Sequence, residues 1–219
     1  MPEYRIHTLS APLPALTGVA FDPDACAALK ELEKATICSY PWDESGYRPE
    51  ARAYVGWRGG DLEALLCAQE ETIQAEERRT GGAVCVDSCL EFFLMPFPEA
   101  DDNYLNVEVN PLGTMHLGLG AGRAPRRVWA ELPEGLALSV SRHAGGWWAV
   151  RYTLPGAFFR EVFGRELKPG AVLRGNFYTC DESIHPHFGS WNPVTTPQPD
   201  FHRPECFGTL RIDGGKRDT

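Results

Sequence analysis

Tyr104-Leu105-Asn106-Val107-Glu108-Val109-Asn110 alternates strictly between apolar and polar side chains. Successive side chains of a β-strand point to opposite faces. Leu105, Val107 and Val109 therefore share one side, and Tyr104, Asn106, Glu108 and Asn110 share the other. The first side suits a core. The second carries two amides, a carboxylate and a phenol, more directed hydrogen-bonding groups than a solvated sheet face needs. The preceding segment behaves alike. Within Val84–Leu94, read as one long strand ended by Pro96 and Pro98, Asp87, Cys89, Glu91 and Phe93 share a face, and Val86, Ser88, Leu90 and Phe92 share the other. Joined through the turn Asp101-Asp102-Asn103, the two strands would bring Asp87 or Glu91 beside Asn106 and Glu108. A late strand, Ala171–Cys180, adds Arg174, Asn176, Tyr178 and Cys180 on one face.

Outward from this stretch the period of two persists. Residues 3–9 read as extended. Ala51–Trp57 and Leu62–Gln69 form a hairpin across Gly59-Gly60. Thr114–Leu119 follows the turn Pro111–Gly113, and Leu136–His143 pairs with Trp147–Leu154 across Ala144–Gly146. Gly208–Asp213 is the last strand. Two helices are expected. One runs from Asp22 to about Lys34, with Asp22 as cap and Pro23 in the first turn; the other, Ala157–Phe163, is closed by Gly164. Residues 41–50 are a loop, and 70–82 a short helix or loop. Roughly nine or ten short strands between turn signals predict an all-β fold. The expectation is an antiparallel β-sandwich, jelly-roll or immunoglobulin-like, with one or two short helices. It forms one domain over 1–219, with an N-terminal extended segment and helix over 1–40 and a flexible tail at Gly214–Thr219.

Composition narrows the function. The formal charge is −9, from 21 basic and 30 acidic side chains. An acidic surface repels phosphate backbones and anionic lipid, which argues against nucleic acid and membrane as partners. The basic cluster Arg123, Arg126 and Arg127, beside Pro125, reads as a solvated loop. No run of 18 apolar residues exists to span a bilayer. The seven cysteines are odd in number and show no disulfide framework, and residues 1–20 have no secretory pattern. Both features lead us to expect a cytoplasmic protein. Cys85 and Cys89, on one strand and roughly 13 Å apart at strand rise, would share neither a metal nor a disulfide.

Amides and carboxylates on one sheet face suit a neutral polyhydroxylated ligand, because each sugar hydroxyl both donates and accepts. An internal network tying strands to a loop uses the same residues, and the pattern alone leaves both readings open. At these residues the sequence resembles a known family. Val86-Asp87-Ser88-Cys89-Leu90-Glu91-Phe92-Phe93-Leu94 is similar to the central strand of family 9 carbohydrate-binding modules. Tyr104–Asn110, then Gly113-Thr114-Met115, resembles the next strand pair of the "family 9-like" branch, and Arg174–Cys180 its late strand. Ser190-Trp191-Asn192-Pro193, Asp200–Glu205 and Phe207-Gly208 resemble its closing segment. The matches run in order from about residue 41 to 212.

The resemblance implies a β-sandwich related to DOMON-like folds and non-catalytic binding of a mono- or oligosaccharide, of cellulose or xylan type in well-known members. It implies a clamp of two tryptophans, with Trp191 at one position and Trp42 or Trp57 at the other. It also implies polar contacts from the concave sheet, with Glu91 as the carboxylate and Asn106 and Asn176 beside it. Glu108, Tyr178 and Asn110, on the same faces, complete the expected ligand-binding set. No cofactor is required; structural calcium occurs in some members, and Asp101-Asp102 is the candidate here. The oligomeric state is open.

Single residues have two readings. An indole in a loop can stack on a pyranose, so Trp191 is either a clamp or an anchor inserted into the sandwich edge. Trp147 and Trp148 face opposite ways, one of them into the core. His185, His187, His202, Cys180 and Cys206 match no zinc spacing and read as hydrogen-bonded loop residues; the other reading is a metal-dependent or structural adaptor. The catalytic alternative is a glycan-processing enzyme with Glu91 and Glu108 as paired carboxylates. No catalytic triad, phosphate loop or dinucleotide fingerprint is present.

Overall fold

The computed structural model describes residues 2–16, 21–142 and 146–214. In chain order the strands are β1 (Glu3–Thr8), β2 (Ala35–Ile37), β3 (Glu50–Arg58), β4 (Asp61–Gln69), β5 (Cys89–Met95), β6 (Tyr104–Val109) and β7 (Met115–Gly120). They continue with β8 (Arg127–Val128), β9 (Leu138–Ser141), β10 (Trp147–Leu154), β11 (Val172–Asp181), β12 (His187–Ser190) and β13 (Gly208–Ile212). The single α-helix among the described residues, α1, spans Gly156–Phe163.

The strands form an all-β sandwich. One layer runs β8-β7-β6-β5-β11-β13, with β12 beside β11; the other runs β3-β4-β10-β9, with β2 beside β3. All pairs within each layer are antiparallel. The first strand departs from the purely antiparallel expectation. β1 pairs parallel with β13 on one side and with β3 on the other, so it joins the two layers into one curled sheet. The expected alternation sets the core. Leu105 and Val107 of β6, Phe92 of β5 and Phe177 of β11 meet Val55, Leu66, Trp148 and Val150 of the opposite layer. Phe92 and Phe177 stack with centroids 4.7 Å apart; burying each ring contributes about 2–3 kcal/mol. The hairpin between β3 and β4 turns at Gly59 and Gly60, whose φ values of 63° and 106° suit glycine. Gly164, at φ 64°, ends α1 as expected.

Three expectations change. The helix over Asp22–Lys34 shrinks to a 3-10 turn at Ala27–Glu31. Asp22 Oδ1 accepts the amides of Asp24 and Ala25 and so caps a local turn. Leu29 and Leu32, with Cys26 at the margin, pack against β3 and β4, too narrow a stripe to hold a helix on the sheet. Val84–Leu94 is not one strand: Val84–Val86 is a 3-10 turn and the strand begins at Cys89. Asp87 explains the break. Its carboxylate accepts the amides of Glu76 and Glu77 and an N–H of Asn110, which commits it to the loop before the strand. Asp87 therefore does not join the sheet's polar face. Short strands β2, β8 and β12 were not expected, since two to four residues carry too little period to read. The turn expected at Ala144–Gly146 and the tail Gly214–Thr219 lie almost wholly outside the described residues. No described helix is long and apolar enough to cross a membrane.

Both outer faces of the sandwich are covered. Leu13, Leu29 and Leu32 of the N-terminal segment lie on Tyr54, Leu65 and Cys67. Val194 and Phe201 of the closing segment lie on the face of β5, β6 and β11.

Candidate functional site

The cover over β5, β6 and β11 is incomplete and leaves a cavity of about 250 Å³. Its floor is the polar face the alternation predicted. Glu91 of β5 stands directly opposite Glu108 of β6 and Tyr178 of β11. Side chains at directly opposed positions have Cβ atoms about 4.5–5.5 Å apart, so the two carboxylates are neighbours. Phe93, Cys180 and Cys85 extend the floor. The rim comes from Arg123, Glu182, Phe188 and the segment Pro199–His202.

The two carboxylates are nearly inaccessible, with Glu91 2% and Glu108 7% exposed. Among the described residues, neither has an ion pair. The Cys180 thiol reaches Glu91 Oε1 at 3.1 Å, and Asn106 Nδ2 donates to Glu108 Oε1 at 2.7 Å. Burial raises the Glu91 pKa well above the carboxylate range, and the Glu108 charge raises it further. Burial also raises Glu108, against the pull of His116, the Asn106 hydrogen bond, Arg126 and Arg123. Both carboxyls are thus raised, Glu91 the more strongly, so of the two Glu91 is the one that burial favours as the proton's holder and Glu108 the one better placed to carry charge. The floor thus presents an acceptor beside a donor.

The rim is braced in detail. Arg126 donates to Asn106 Oδ1 at 2.9 Å and to the carbonyl of Tyr104 at 2.8 Å, and its guanidinium lies 4.4 Å over the Tyr104 ring. The reading of the arginine cluster as a solvated loop is thus corrected for Arg126, which orients Asn106, which orients Glu108; Arg123 and Arg127 stay exposed, and Arg123 also borders the cavity and pairs with Asp200 at 2.8 Å. His202 shares a 2.8 Å hydrogen bond with Tyr104 Oη. Burial, then Arg126 and Arg123, depress its pKa to about 4, so its imidazole is neutral at pH 7.

The expected site residues divide. Glu91 and Glu108 line the cavity, and Asn106 stands directly behind Glu108. Tyr178 lies beneath, its ring stacked 4.0 Å from Phe201 and its hydroxyl donating to the Phe201 carbonyl. Asn176 is turned to the closing segment: Nδ2 donates to the Asn192 carbonyl, and Oδ1 accepts the Asn192 amide. Asn110 holds its own turn through the amides of Leu112 and Thr114. These two asparagines form the internal network that was the other reading of the face.

The tryptophans are placed differently from the expected clamp. Trp191 lies edge-on to Tyr4 at 6.2 Å, packs on Phe177 at 5.6 Å, and borders the core between the layers. A Cβ on Gly208 would come within 2.5 Å of its ring, so the Phe207-Gly208 pair makes room for an anchored indole. Trp57 belongs to the other layer, beside the Gly59-Gly60 turn. Trp42 stands behind the cavity wall, 6.3 Å from Phe188 and 5.9 Å from Phe201, with Nε1 donating to the Thr196 carbonyl. The rings that face the cavity are Phe93, Phe188 and Phe201. Phe188 and Phe201 escaped the sequence reading because a single aromatic in a four-residue strand or in an irregular loop carries no period.

The late histidines and cysteines do not converge. His187 packs against Tyr47, whereas His202 belongs to the Tyr104 side of the cavity. At Asp101 and Asp102, the expected calcium candidates, Asp101 Oδ1 accepts the backbone and side-chain N–H groups of Asn103, which commits that oxygen to a local turn. Cys85 is not on the strand with Cys89; it sits in the 3-10 turn, and its carbonyl lies 3.7 Å from Cys180 Sγ.

Known structures share this architecture. The chain is similar to a proposed carbohydrate-binding protein of Bacteroides uniformis, with a TM-score of 0.77 and 23% identity over 96% of this chain and 99% of that one. It is also similar to a family 9 carbohydrate-binding module of Caldicellulosiruptor kristjanssonii in complex with glucose, with a TM-score of 0.65 and 13% identity over 100% and 98% of the two chains. The same organism's family 9 module in complex with cellotriose gives a TM-score of 0.63 and 12% identity over 100% and 97%. At these identities the likeness establishes the fold. No curated protein matches the sequence. The model of carbohydrate-binding family 9 matches residues 23–212, most of the length, and the chain belongs to that family.

Proposed function

We propose that this chain binds a carbohydrate without cleaving it, and that one neutral sugar ring, free or at the end of an oligosaccharide, enters the cavity over Glu91 and Glu108. The observation that carries this reading is the pair of adjacent buried carboxylates that make no ion pair among the described residues. A protonated and an ionised carboxyl side by side match a hydroxyl that donates to one and accepts from the other. Phe188 and Phe201 supply apolar rings for the C–H faces of the sugar, the part assigned to tryptophan in the sequence. The volume of about 250 Å³ lies below the roughly 300–1,000 Å³ of pockets for drug-sized ligands and favours a single ring. The family membership and the sugar complexes of the Caldicellulosiruptor modules support the ligand class.

The catalytic alternative receives less support. Glycoside cleavage needs carboxyl groups flanking the scissile bond. Glu91 and Glu108 project from directly opposed positions of adjacent strands onto one floor.

Isothermal titration with glucose, cellobiose and xylobiose tests the proposal. The parent protein should give a saturable signal with at least one of them. Glu108→Gln should weaken it by about tenfold or more, since hydrogen bonds to charged groups contribute about 1.5–3 kcal/mol. Equal affinity in Glu108→Gln would move the site elsewhere, and no saturable signal with any sugar would remove the reading.

A further inference from the structure

Beneath the cavity lie two cysteines that the proposed sugar site does not use, and they meet Glu91 of its floor. Cys180 of β11 stands directly opposite Cys89 of β5, and Glu91 follows two residues along β5 on the same face. One ligand atom from each of the three residues lies within 4.8 Å of the others, and all three side chains are buried. Among the described residues, no other group of three His, Cys, Asp or Glu side chains converges in this way. Cys180 and Glu91 also line the cavity, which gives an ion a path in from solvent.

We propose that Cys89 Sγ, Cys180 Sγ and a Glu91 carboxylate oxygen bind one thiophilic divalent cation, with zinc the best match. Two sulfurs and an oxygen suit zinc, which takes S, N and O ligands tetrahedrally at about 2.0–2.3 Å. Those bond lengths separate neighbouring ligand atoms by about 3.5 Å. Cys180 Sγ and Glu91 Oε1 already stand 3.1 Å apart, and no pair of ligand atoms in the cluster needs to approach by more than about 1.3 Å to reach that spacing. Three protein ligands leave the fourth position for water from the cavity, which Cys180 and Glu91 line. Harder cations are disfavoured, because calcium and magnesium require a shell of oxygens.

Without the ion, the cluster is protonated. Burial pushes the Cys89 thiol up to about 12, and Cys180 is raised by its Cys89 hydrogen bond and by burial. The cysteines are therefore not nucleophiles in the metal-free protein. Binding at neutral pH replaces the two thiol protons and the Glu91 proton, and these three protons leave to solvent. The site then carries two thiolates, one carboxylate and a dication, a net charge of −1, with the Arg123 guanidinium across the cavity. The inference stands on the cluster alone and does not require that a sugar bind.

Cobalt titration of the reduced protein, without oxygen or sugar, tests it. Cobalt occupies zinc sites and reports thiolate ligands by a sulfur-to-metal charge-transfer band. The parent should show that band, saturating at one equivalent, and zinc should abolish it. Cys89→Ser and Cys180→Ser should each weaken cobalt binding by at least about tenfold, while Cys38→Ser, a change at an exposed thiol, should leave it unchanged. Where the serine variants fail to fold, Glu91→Gln serves: the band remains and the affinity falls. Cobalt held without a charge-transfer band, or a band lost in Cys38→Ser, would overturn the proposal. So would affinities in Cys89→Ser and Cys180→Ser equal to the parent's.

Discussion

The two outer faces of the sandwich treat a buried glutamate in opposite ways. On the layer covered by the N-terminal segment, Glu63 of β4 is fully buried and fully partnered. Arg151 reaches it at 2.7 Å, Arg58 at 3.0 Å, and the Leu13 amide at 2.8 Å. On the layer covered by the closing segment, Glu91 and Glu108 are buried almost as deeply and, among the described residues, make no ion pair. A buried carboxylate with two guanidinium groups is a fastener: it ties the Leu13 segment to the sheet. Two adjacent carboxylates with one thiol and one amide between them are a site that leaves hydrogen-bonding capacity for something else. Burial alone does not separate these cases; the inventory of partners does.

The comparison can be broken at several points. The largest effect is expected for Glu63→Ala, which strands the buried Arg151. Breaking such a pair from one side costs about 3–5 kcal/mol, read from denaturant unfolding. A cost under about 1 kcal/mol would mean that Glu63 is no fastener. Trp191→Ala should come next, at about 3 kcal/mol, because it removes a ring packed on Tyr4 and Phe177. It should leave sugar affinity unchanged; a selective loss of binding would restore Trp191 as a clamp.

A third test uses pH. Glu70, whose carboxylate receives Ser88 Oγ and Trp148 Nε1, is raised by burial to about 7. In the window from the ordinary glutamate value of 4.5 up to about 7, the folded protein holds a proton that the unfolded chain has lost. Stability is therefore fullest below that window and falls as pH rises through it, by up to about 3 kcal/mol from this residue. Glu91 and Glu108 act in the same direction. Unfolding free energies measured across the window should show the decline, and Glu70→Gln should flatten part of it; stability rising with pH there would contradict the burial argument. The smallest effect is expected for Glu91→Gln in the metal-free protein. An amide replaces a carboxyl whose charged form burial already disfavours, so stability should change by less than about 1 kcal/mol. The contrast with Glu63→Ala is the sharpest statement of the difference between the faces.

Much of this arrangement was legible before any coordinates. The alternation over Tyr104–Asn110 placed Leu105 and Val107 in the core and Asn106 and Glu108 on the other face, where they are. The hairpin at Gly59-Gly60 and the close of α1 at Gly164 followed from glycine alone. The errors have a common cause. Trp191, Arg126 and Asp87 sit where no repeat constrains the chain, and their roles depend on what a distant segment brings to them. Asn176 and Asn106 are indistinguishable as pattern, yet one faces the Asn192 backbone and the other a carboxylate.

The sequence by itself determined the strand faces, the hairpins and the polar character of one sheet, because these depend on side-chain period and backbone preference over a few residues. Only the tertiary structure decided that Glu91 meets Glu108, that Cys180 meets Cys89, and that phenylalanines rather than a tryptophan border the cavity. Strand register and loop packing are set by the whole core closing at once, and no local stretch of chain contains that information.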